Sequence, residues 1–513
     1  MTIEGCTAPP GARLGSSGGA PAELFRALHW TPVLSIAASL VAVLLAVSDR
    51  YGYNVDELYY RLLGQHGLAW GYTDQPPLVP LIVRLTVDLS GDALWALRVP
   101  AAVCAGAVVV LGAAIAAELG GGRRAQVLTA VGLASSVMVQ SIGHVMVTTT
   151  VDLVAWSAVA LFAVRALLRD GRWWIWAGVT LGLALYAKYV VVLLPVALLA
   201  GVLLVGPRPV LRERHLLLGV GLAFVIGVPN LVYQLVHDLP QLRMAEALSA
   251  TDGPFNRVIF LPSQVLLLGL ALTPVWIAGV VGLLRRSAWR PVRAVAVAYL
   301  VAVVLALVGG GRPDYVGGFL VPLLAAGFVV IDAWIGARIA RRLALGALLA
   351  VGAVAQAVIA LPLLPERSLA RLPLNNIALE SVGWPQLVEQ VAAAHQTLPA
   401  DRRGSSAILA RTIGEAGALD RYGAEHDLPA VYSGHNELHR YGPPPETVDV
   451  VIAVGFELDD PALTAAFARC EVIRRVDNGL GVANAEQGQL VVACGERRSP
   501  WASLWPSFAY LSG

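Results

Sequence analysis

Long apolar runs and short polar connections alternate over the first two thirds of the chain. The runs recur at 31–48, 97–118, 126–143, 151–168, 173–186, 189–205, 216–236, 258–284, 294–309, 317–336 and 343–362. A helix needs roughly 20 apolar residues to cross a bilayer. The pattern therefore predicts an α-helical polytopic membrane protein with about eleven transmembrane helices, some of them short. From residue 363 the apolar stretches shorten and polar residues return. Helical patterns at 384–398, 412–422 and 461–468 then alternate with strand patterns at 407–411, 430–433, 448–454, 472–476 and 490–494. That alternation predicts a small α/β domain. The expected organisation is a cytoplasmic N-terminal tail (1–30), a transmembrane domain (31–362) with its first outer loop at 49–96, and an extracytoplasmic α/β domain (363–513).

Arginine sets the expected orientation. Arg123 and Arg124, Arg169 and Arg172, Arg208, Arg212 and Arg214, Arg285, Arg286, Arg290 and Arg293, and Arg338, Arg341 and Arg342 fall in one alternating set of connections. The connections at 144–150, 237–257 and 310–316 are much poorer in them. The excess of basic residues in cytoplasmic loops puts the first set inside, so the loop at 49–96 and the C-terminal domain are expected outside the plasma membrane.

Composition agrees with a membrane class. Of 513 residues, 57% are hydrophobic and 14% charged, against about 25% charged in soluble domains. Mean hydropathy is +0.67. The polar head, Met1 to Gly19, has no signal-peptide core or cleavage site, so the run at 31–48 is expected to remain as a signal anchor. Cys470 and Cys494 could pair in an oxidising compartment or stand as two buried thiols. There is no glycine loop of nucleotide type, no HExxH helix and no CxxC pair. Nucleic acid is not an expected partner.

The chemistry gathers in the loop YNVDELYYRLLGQHGLAWGYTDQPPLVPLIVR, residues 53–84. Asp56 and Glu57 follow the first apolar run directly, with an amphipathic segment and Tyr59, Tyr60, Trp70 and Tyr72 expected at interfacial depth. Asp74 precedes Gln75-Pro76-Pro77 and is expected to cap a second helix. Acids at a membrane surface are costly to keep for packing alone, which marks the loop as a candidate active site.

Lysine occurs only as Lys188, between two apolar runs, where a charge costs about 2.5–3.5 kcal/mol. It reads as a phosphate-binding cation or as a snorkelling side chain. Asp152 reads as a helix cap or a cavity-lining acid, and Arg312 as a phosphate clamp or an ion-pair partner of Asp314. Arg84 and Arg98 are further candidate cations, and His237-Asp238 reads more simply as a solvated pair. Acids beside cations at membrane level suit one reaction. A carboxylate takes the proton of an acceptor hydroxyl, which attacks an anomeric carbon and expels a lipid phosphate held by cations. A divalent metal is a candidate aid to that departure, with Glu57 and His237 as candidate ligands.

The first loop, DELYYRLLGQHGLAWGYTDQPPLVPLIVRL, resembles that of the bacterial protein-mannosyltransferase-like glycosyltransferase family 39, whose relatives include the lipid A aminoarabinose transferases. TTTVDLVAWSAVALF, GVTLGLALYAKYVVVLLP, PNLVYQLVHDLPQ and GRPDYVGGFLVPLLAAG follow in that family's order. GWPQLVEQVA, TIGEAGALDRYG and SGHNELHRYGPP are similar to the outer domain of a bacterial subgroup. The resemblance implies a GT-C fold, a polyprenyl-phosphate sugar donor, an extracytoplasmic protein, polysaccharide or lipid acceptor, and inversion at the anomeric carbon. It makes Asp56 the catalytic acid residue, with Glu57 its neighbour, and puts Lys188 in the donor-side motif. Arg312, Tyr59 and Tyr60 join Lys188 as candidate donor and phosphate contacts, and Tyr72, Asp74, Asp152 and His237 are further site candidates. Gln75 and Arg312 depart from the residues usual at their positions. The competing class is a non-catalytic transporter or lipid-binding membrane protein. Transporters place ionisable groups at mid-bilayer depth and often carry repeated halves, neither of which is visible here.

Overall fold

The computed structural model describes residues 25–512; residues 1–24 of the expected tail, Cys6 among them, lie outside the described residues. Every apolar run folds as helix, but not every helix has the length of a span. Six are long and apolar enough: Leu94–Glu118, Thr148–Leu168, Arg214–Val236, Ser287–Val308, Pro313–Ile335 and Ile339–Ala360. Two more spans arise if bent pairs are each counted once, Arg123–Ser135 with Val137–His144 (55°) and Gly253–Leu267 with Leu270–Arg285 (76°). Trp30–Ala46, Trp173–Ala184 and Tyr189–Val205 are shorter apolar helices.

The breaks have local causes. Ser136 stops one helix and starts the next, its hydroxyl donating to the Leu133 carbonyl (2.8 Å) and accepting from the Val139 amide (3.4 Å). Gly269, at φ 99°, turns the chain at the second break. Small residues bring helices together elsewhere. Gly279 lies against the Leu323 carbonyl and Gly327 against the Val275 carbonyl, with no space for a Cβ at either.

The helix Val99–Glu118 joins two chemically different ends. At its last turn the buried Glu118 pairs with Arg165 (2.7 Å) and Arg169 (3.3 Å), the Trp289 indole donates to the Leu119 carbonyl (3.1 Å), and Arg124 pairs with Asp332 close by. The arginine-rich connections thus gather at one end. Before its first turn Arg98 faces the first loop, and the C-terminal domain sits there.

That domain holds a five-stranded sheet, ordered β2-β1-β3-β5-β4: β1 (Ser406–Ala410), β2 (Val431–Ser433), β3 (Val450–Val454), β4 (Phe467–Arg475) and β5 (Leu490–Arg497). β1 runs parallel to β2 and β3, and β5 is antiparallel to β3 and β4. Side-chain alternation splits the strands between two cores. Ala407, Leu409, Val451 and Ala453 face Trp501, Trp505 and Phe508. Ile408, Ala410, Ile452 and Val454 face Trp384, Leu387 and Val388, and this core continues into Leu58, Tyr59, Tyr60, Leu62 and Leu63 of the first loop. Cys470 and Cys494 are register partners on β4 and β5 and form a disulfide.

Helix Ile413–Tyr422 begins with a capping box, in which the Thr412 hydroxyl accepts from the Glu415 amide and the Glu415 carboxyl accepts from the Arg411 and Thr412 amides (2.9 Å each). Burial pushes the Glu415 carboxyl up to about 8, with these bonds opposing and the neighbouring Glu486 adding to the rise. A carboxyl raised in the folded state stabilises it fully below the unfolded value, 4.5, and loses that contribution as pH rises through about 8. The melting temperature of the purified protein is therefore expected to fall across that window, and Glu415→Gln to flatten the fall. An unchanged slope in Glu415→Gln would contradict this.

Candidate active site

The first-loop helix, Val55–Gln65, lies under the C-terminal domain and fixes the site. Asn54 is its N-cap, its side chain accepting from the Asp56 amide (3.1 Å), so Asp56 itself carries no capping role. Gly417 of the upper domain meets Leu58 with no space for a Cβ. Arg61, on the polar face, is 9% exposed and bridges Asp92 (2.7 Å) and Asp420 (2.6 Å). The segment is therefore covered on both faces. Tyr59, Tyr60 and Tyr72 are buried, not interfacial, and of the four expected interfacial rings Trp70 alone is exposed.

The two adjacent acids have different fates. Glu57 is fully buried, and both its oxygens are occupied. Arg98 donates to each (3.0 and 2.8 Å), the Met146 amide to one (2.9 Å) and the Asn54 amide to the other (2.9 Å). These bonds tie the start of the first-loop helix to Arg98 and to Met146. Arg98 is equally committed, to Glu57 and to the Gly52 and Ser48 carbonyls. Arg84 pairs with Asp88 on the surface. Neither arginine serves as a site cation.

Asp56 lies beside the Tyr60 hydroxyl, where the Arg312 and Lys188 cations act on it. Burial raises its carboxyl above the usual range, and the two cations oppose that rise. Lys188 occupies the break after helix Trp173–Ala184. Its ammonium donates to the Thr149 hydroxyl (2.8 Å) and stands 5.1 Å above the Tyr315 ring. Arg312 donates to Asp314 (3.0 Å) while its side chain stays 61% exposed, so the ion pair leaves donor capacity open. Asp152 is inside helix Thr148–Leu168, four residues past its start, and accepts from the Trp156 indole (3.1 Å); it does not cap that helix.

Asp74 is not a cap either. Helix Leu78–Ser90 starts after Pro77 without a side-chain cap. Asp74 instead accepts from the Tyr59 hydroxyl (2.8 Å) and from Asn436 of the upper domain (3.3 Å). Burial pushes its carboxyl up to about 7, with the Tyr59 bond opposing. Glu437 accepts from the Thr73 amide and hydroxyl (2.7 and 2.6 Å), and Gln241 donates to the Thr73 carbonyl (3.2 Å). Tyr72 closes the turn through its amide to the Gln75 carbonyl (2.9 Å). Asn436 and Glu437 were not singled out by the sequence reading; their signal is the stretch SGHNELHRYGPP, in which Asn436 takes a left-handed φ of 50°.

His237 ends helix Arg214–Val236, stacks on Tyr233 (4.1 Å) and turns Nδ1 to the Tyr233 carbonyl (2.8 Å). Asp238 pairs with Arg243 (3.5 Å). Among the described residues no group of three or more His, Cys, Asp or Glu side chains is placed to hold a metal ion. Of the candidate metal ligands, Glu57 has both oxygens engaged within the protein and His237 has its Nδ1 turned to the Tyr233 carbonyl.

The site thus brings together an acid with a raised carboxyl (Asp56), a second held near neutrality (Asp74), two tyrosines and two cations, where an α/β domain roofs one end of a helical bundle. Residues 74–233 match the family of dolichyl-phosphate-mannose-protein mannosyltransferases. The chain is 29% identical over 220 residues to the lipid A galacturonosyltransferase RgtD of Rhizobium johnstonii, covering 41% of this chain and 44% of that relative. It matches less than half of that relative's length. Its fold is that of ArnT from Cupriavidus metallidurans, with a TM-score of 0.60 to the apo form at 17% identity, covering 90% of this chain and 97% of ArnT. Against ArnT bound to undecaprenyl phosphate the TM-score is 0.57 at 18% identity, with the same coverage. The family resemblance read from the sequence is met over residues 74–233, and the fold is shared with ArnT over 90% of the chain.

Proposed function

We propose that this protein transfers a sugar from a polyprenyl-phosphate donor to an acceptor at the extracytoplasmic face of the plasma membrane. One arrangement carries the reading: Lys188, bonded to Thr149 and over the Tyr315 ring, and the half-free Arg312 beside Asp314 form a cationic cluster whose charge opposes the burial-driven rise of the Asp56 carboxyl. The acceptor hydroxyl gives its proton to the Asp56 carboxylate as its oxygen bonds to the anomeric carbon. The bond from that carbon to the phosphate oxygen breaks, and its electron pair leaves on the phosphate beside Lys188 and Arg312. Attack opposite the leaving phosphate inverts the anomeric centre. A polyprenyl-phosphate donor is supported by the fold shared with ArnT bound to undecaprenyl phosphate.

Two features support the outward placement. The arginine-rich connections lie at the end away from the site, and the Cys470–Cys494 disulfide suits an oxidising compartment. A reporter fused after Gly513 is expected to be active only outside the cytoplasm. Mass spectrometry of envelope glycans and lipids from a deletion strain tests the function itself. Loss of one sugar from one acceptor supports the proposal, and an unchanged envelope opposes it.

Lys188→Met is expected to weaken binding of a polyprenyl-phosphate donor by about tenfold or more, since a charge-assisted bond to phosphate is lost. Lys188→Arg should be intermediate, because a planar fork replaces a compact ammonium. Binding measured on the purified, folded variants checks this, and unchanged affinity in Lys188→Met would reduce the residue to a membrane-interface lysine.

A further inference from the structure

At the arginine end, away from the candidate active site, a trough of about 660 Å³ opens along helix Thr273–Arg285. Its apolar wall is Pro274, Ile277, Ala278 and Val281, with Val330 of the neighbouring helix on one side. Gly282 forms the floor, where a Cβ would press on Val330 and the Trp289 ring. Thirteen helical residues give it a length of about 20 Å. The trough ends on Arg285 and Arg286.

Those two arginines lack counter-charges. Among the described residues neither they nor Arg290 and Arg293 pair with a carboxylate. Some arginines at this end are paired, Arg124 with Asp332 and Arg165 and Arg169 with Glu118, while others, such as Arg338 and Arg342, share the lack of a carboxylate partner but do not line the trough. Arg286 is held with its guanidinium over the Trp289 ring (4.6 Å), and the Arg293 Nε is buried without a partner. Guanidinium groups at a membrane surface bind phosphate oxygens in paired geometry. An apolar trough leading to two unpaired guanidinium groups has the shape and charge of one acyl chain and its phosphate.

We propose that this trough binds an anionic glycerophospholipid of the leaflet at the arginine end, with an acyl chain along Ile277, Ala278 and Val281 and its phosphate on Arg285 and Arg286. The cytoplasmic leaflet, on which the outward-site reading puts this end, is the one that carries surplus anionic lipid. The site is separate from the donor site and would stand even if the transferase reading failed, because its test uses no sugar.

The full-length protein is purified and incubated with phosphatidylglycerol or phosphatidylcholine, and retained lipid is read by native mass spectrometry. The wild type is expected to retain phosphatidylglycerol preferentially. R285Q/R286Q should lower that preference by about tenfold or more. Ala278→Trp, which fills the trough and leaves both arginines, should also lower retention of phosphatidylglycerol. Equal retention of the two lipids by the wild type would overturn the proposal, as would an undiminished preference in R285Q/R286Q. Displacement of the bound phospholipid by equimolar polyprenyl phosphate would overturn the assigned occupant.

Discussion

Asp56→Asn is expected to lower sugar transfer by about 10²–10⁴-fold while the protein folds and binds its donor normally. The carboxylate is the proposed base, and the amide keeps its shape without its basicity. The start of the first-loop helix is held by Asn54, so the substitution removes no cap. Donor affinity is assigned to Lys188 and Arg312, so the loss should fall on turnover. Burial raises the Asp56 carboxyl, and only its ionised form accepts a proton; transfer in the wild type should therefore rise with pH through that raised value. Asp74, at about 7, and Glu380, raised by burial to about 7 with the Asp56 charge adding to the rise, can give such a limb as well. A limb surviving in Asp56→Asn at reduced rate belongs to these acids, whose titrations are coupled to that of Asp56. A well-folded, donor-binding Asp56→Asn with near-normal turnover would remove Asp56 from the mechanism.

Glu57→Gln, one residue further on, should act on stability. Among the described residues, it leaves Arg98, 1% exposed, without a carboxylate partner. Breaking one side of a buried pair costs about 3–5 kcal/mol. The loss should appear as a lower melting temperature, whether or not donor is present. Replacing both partners, Glu57→Gln with Arg98→Met, should recover part of it. Recovery stays partial because the Gly52 and Ser48 carbonyls lose the donor that Arg98 supplies. Wild-type stability in Glu57→Gln would contradict the anchoring role. If both expectations are met, the adjacent acids differ in kind, Asp56→Asn losing rate and Glu57→Gln losing the fold.

Periodicity made much of the architecture legible. Apolar runs mark helices because the bilayer demands them, and the C-terminal strands stand out by their alternation and flanking turns. Length was misjudged where Ser136 and Gly269 interrupt continuous hydrophobicity, because a break costs only local bonds that hydropathy does not record. In the site, Asp56, Lys188 and Arg312 were visible as charges in apolar settings, and they lie together. Glu57 looked equivalent to Asp56 because nothing local reveals Arg98, 41 residues away, inserting beneath it. Asp74 and Asp152 looked like caps because capping is a local rule. Their actual partners include Asn436, 362 residues from Asp74, and Trp156, on the same helix as Asp152. Glu437 holding Thr73 across 364 residues belongs to the same class of contact. The contacts of Asp74 with Asn436 and of Thr73 with Glu437 require the fold, whereas that of Asp152 with Trp156 is local.

The most direct test follows free polyprenyl phosphate. The purified protein is placed in lipid nanodiscs with a polyprenyl-phosphate-linked sugar and an envelope extract as acceptor, and liberated lipid phosphate is measured with the sugar transferred. The account predicts one polyprenyl phosphate released per sugar transferred, with both signals lost in Asp56→Asn. Binding of the donor with no release of polyprenyl phosphate, under conditions where the deletion strain shows an altered envelope, would contradict it and favour a lipid-binding or transport role.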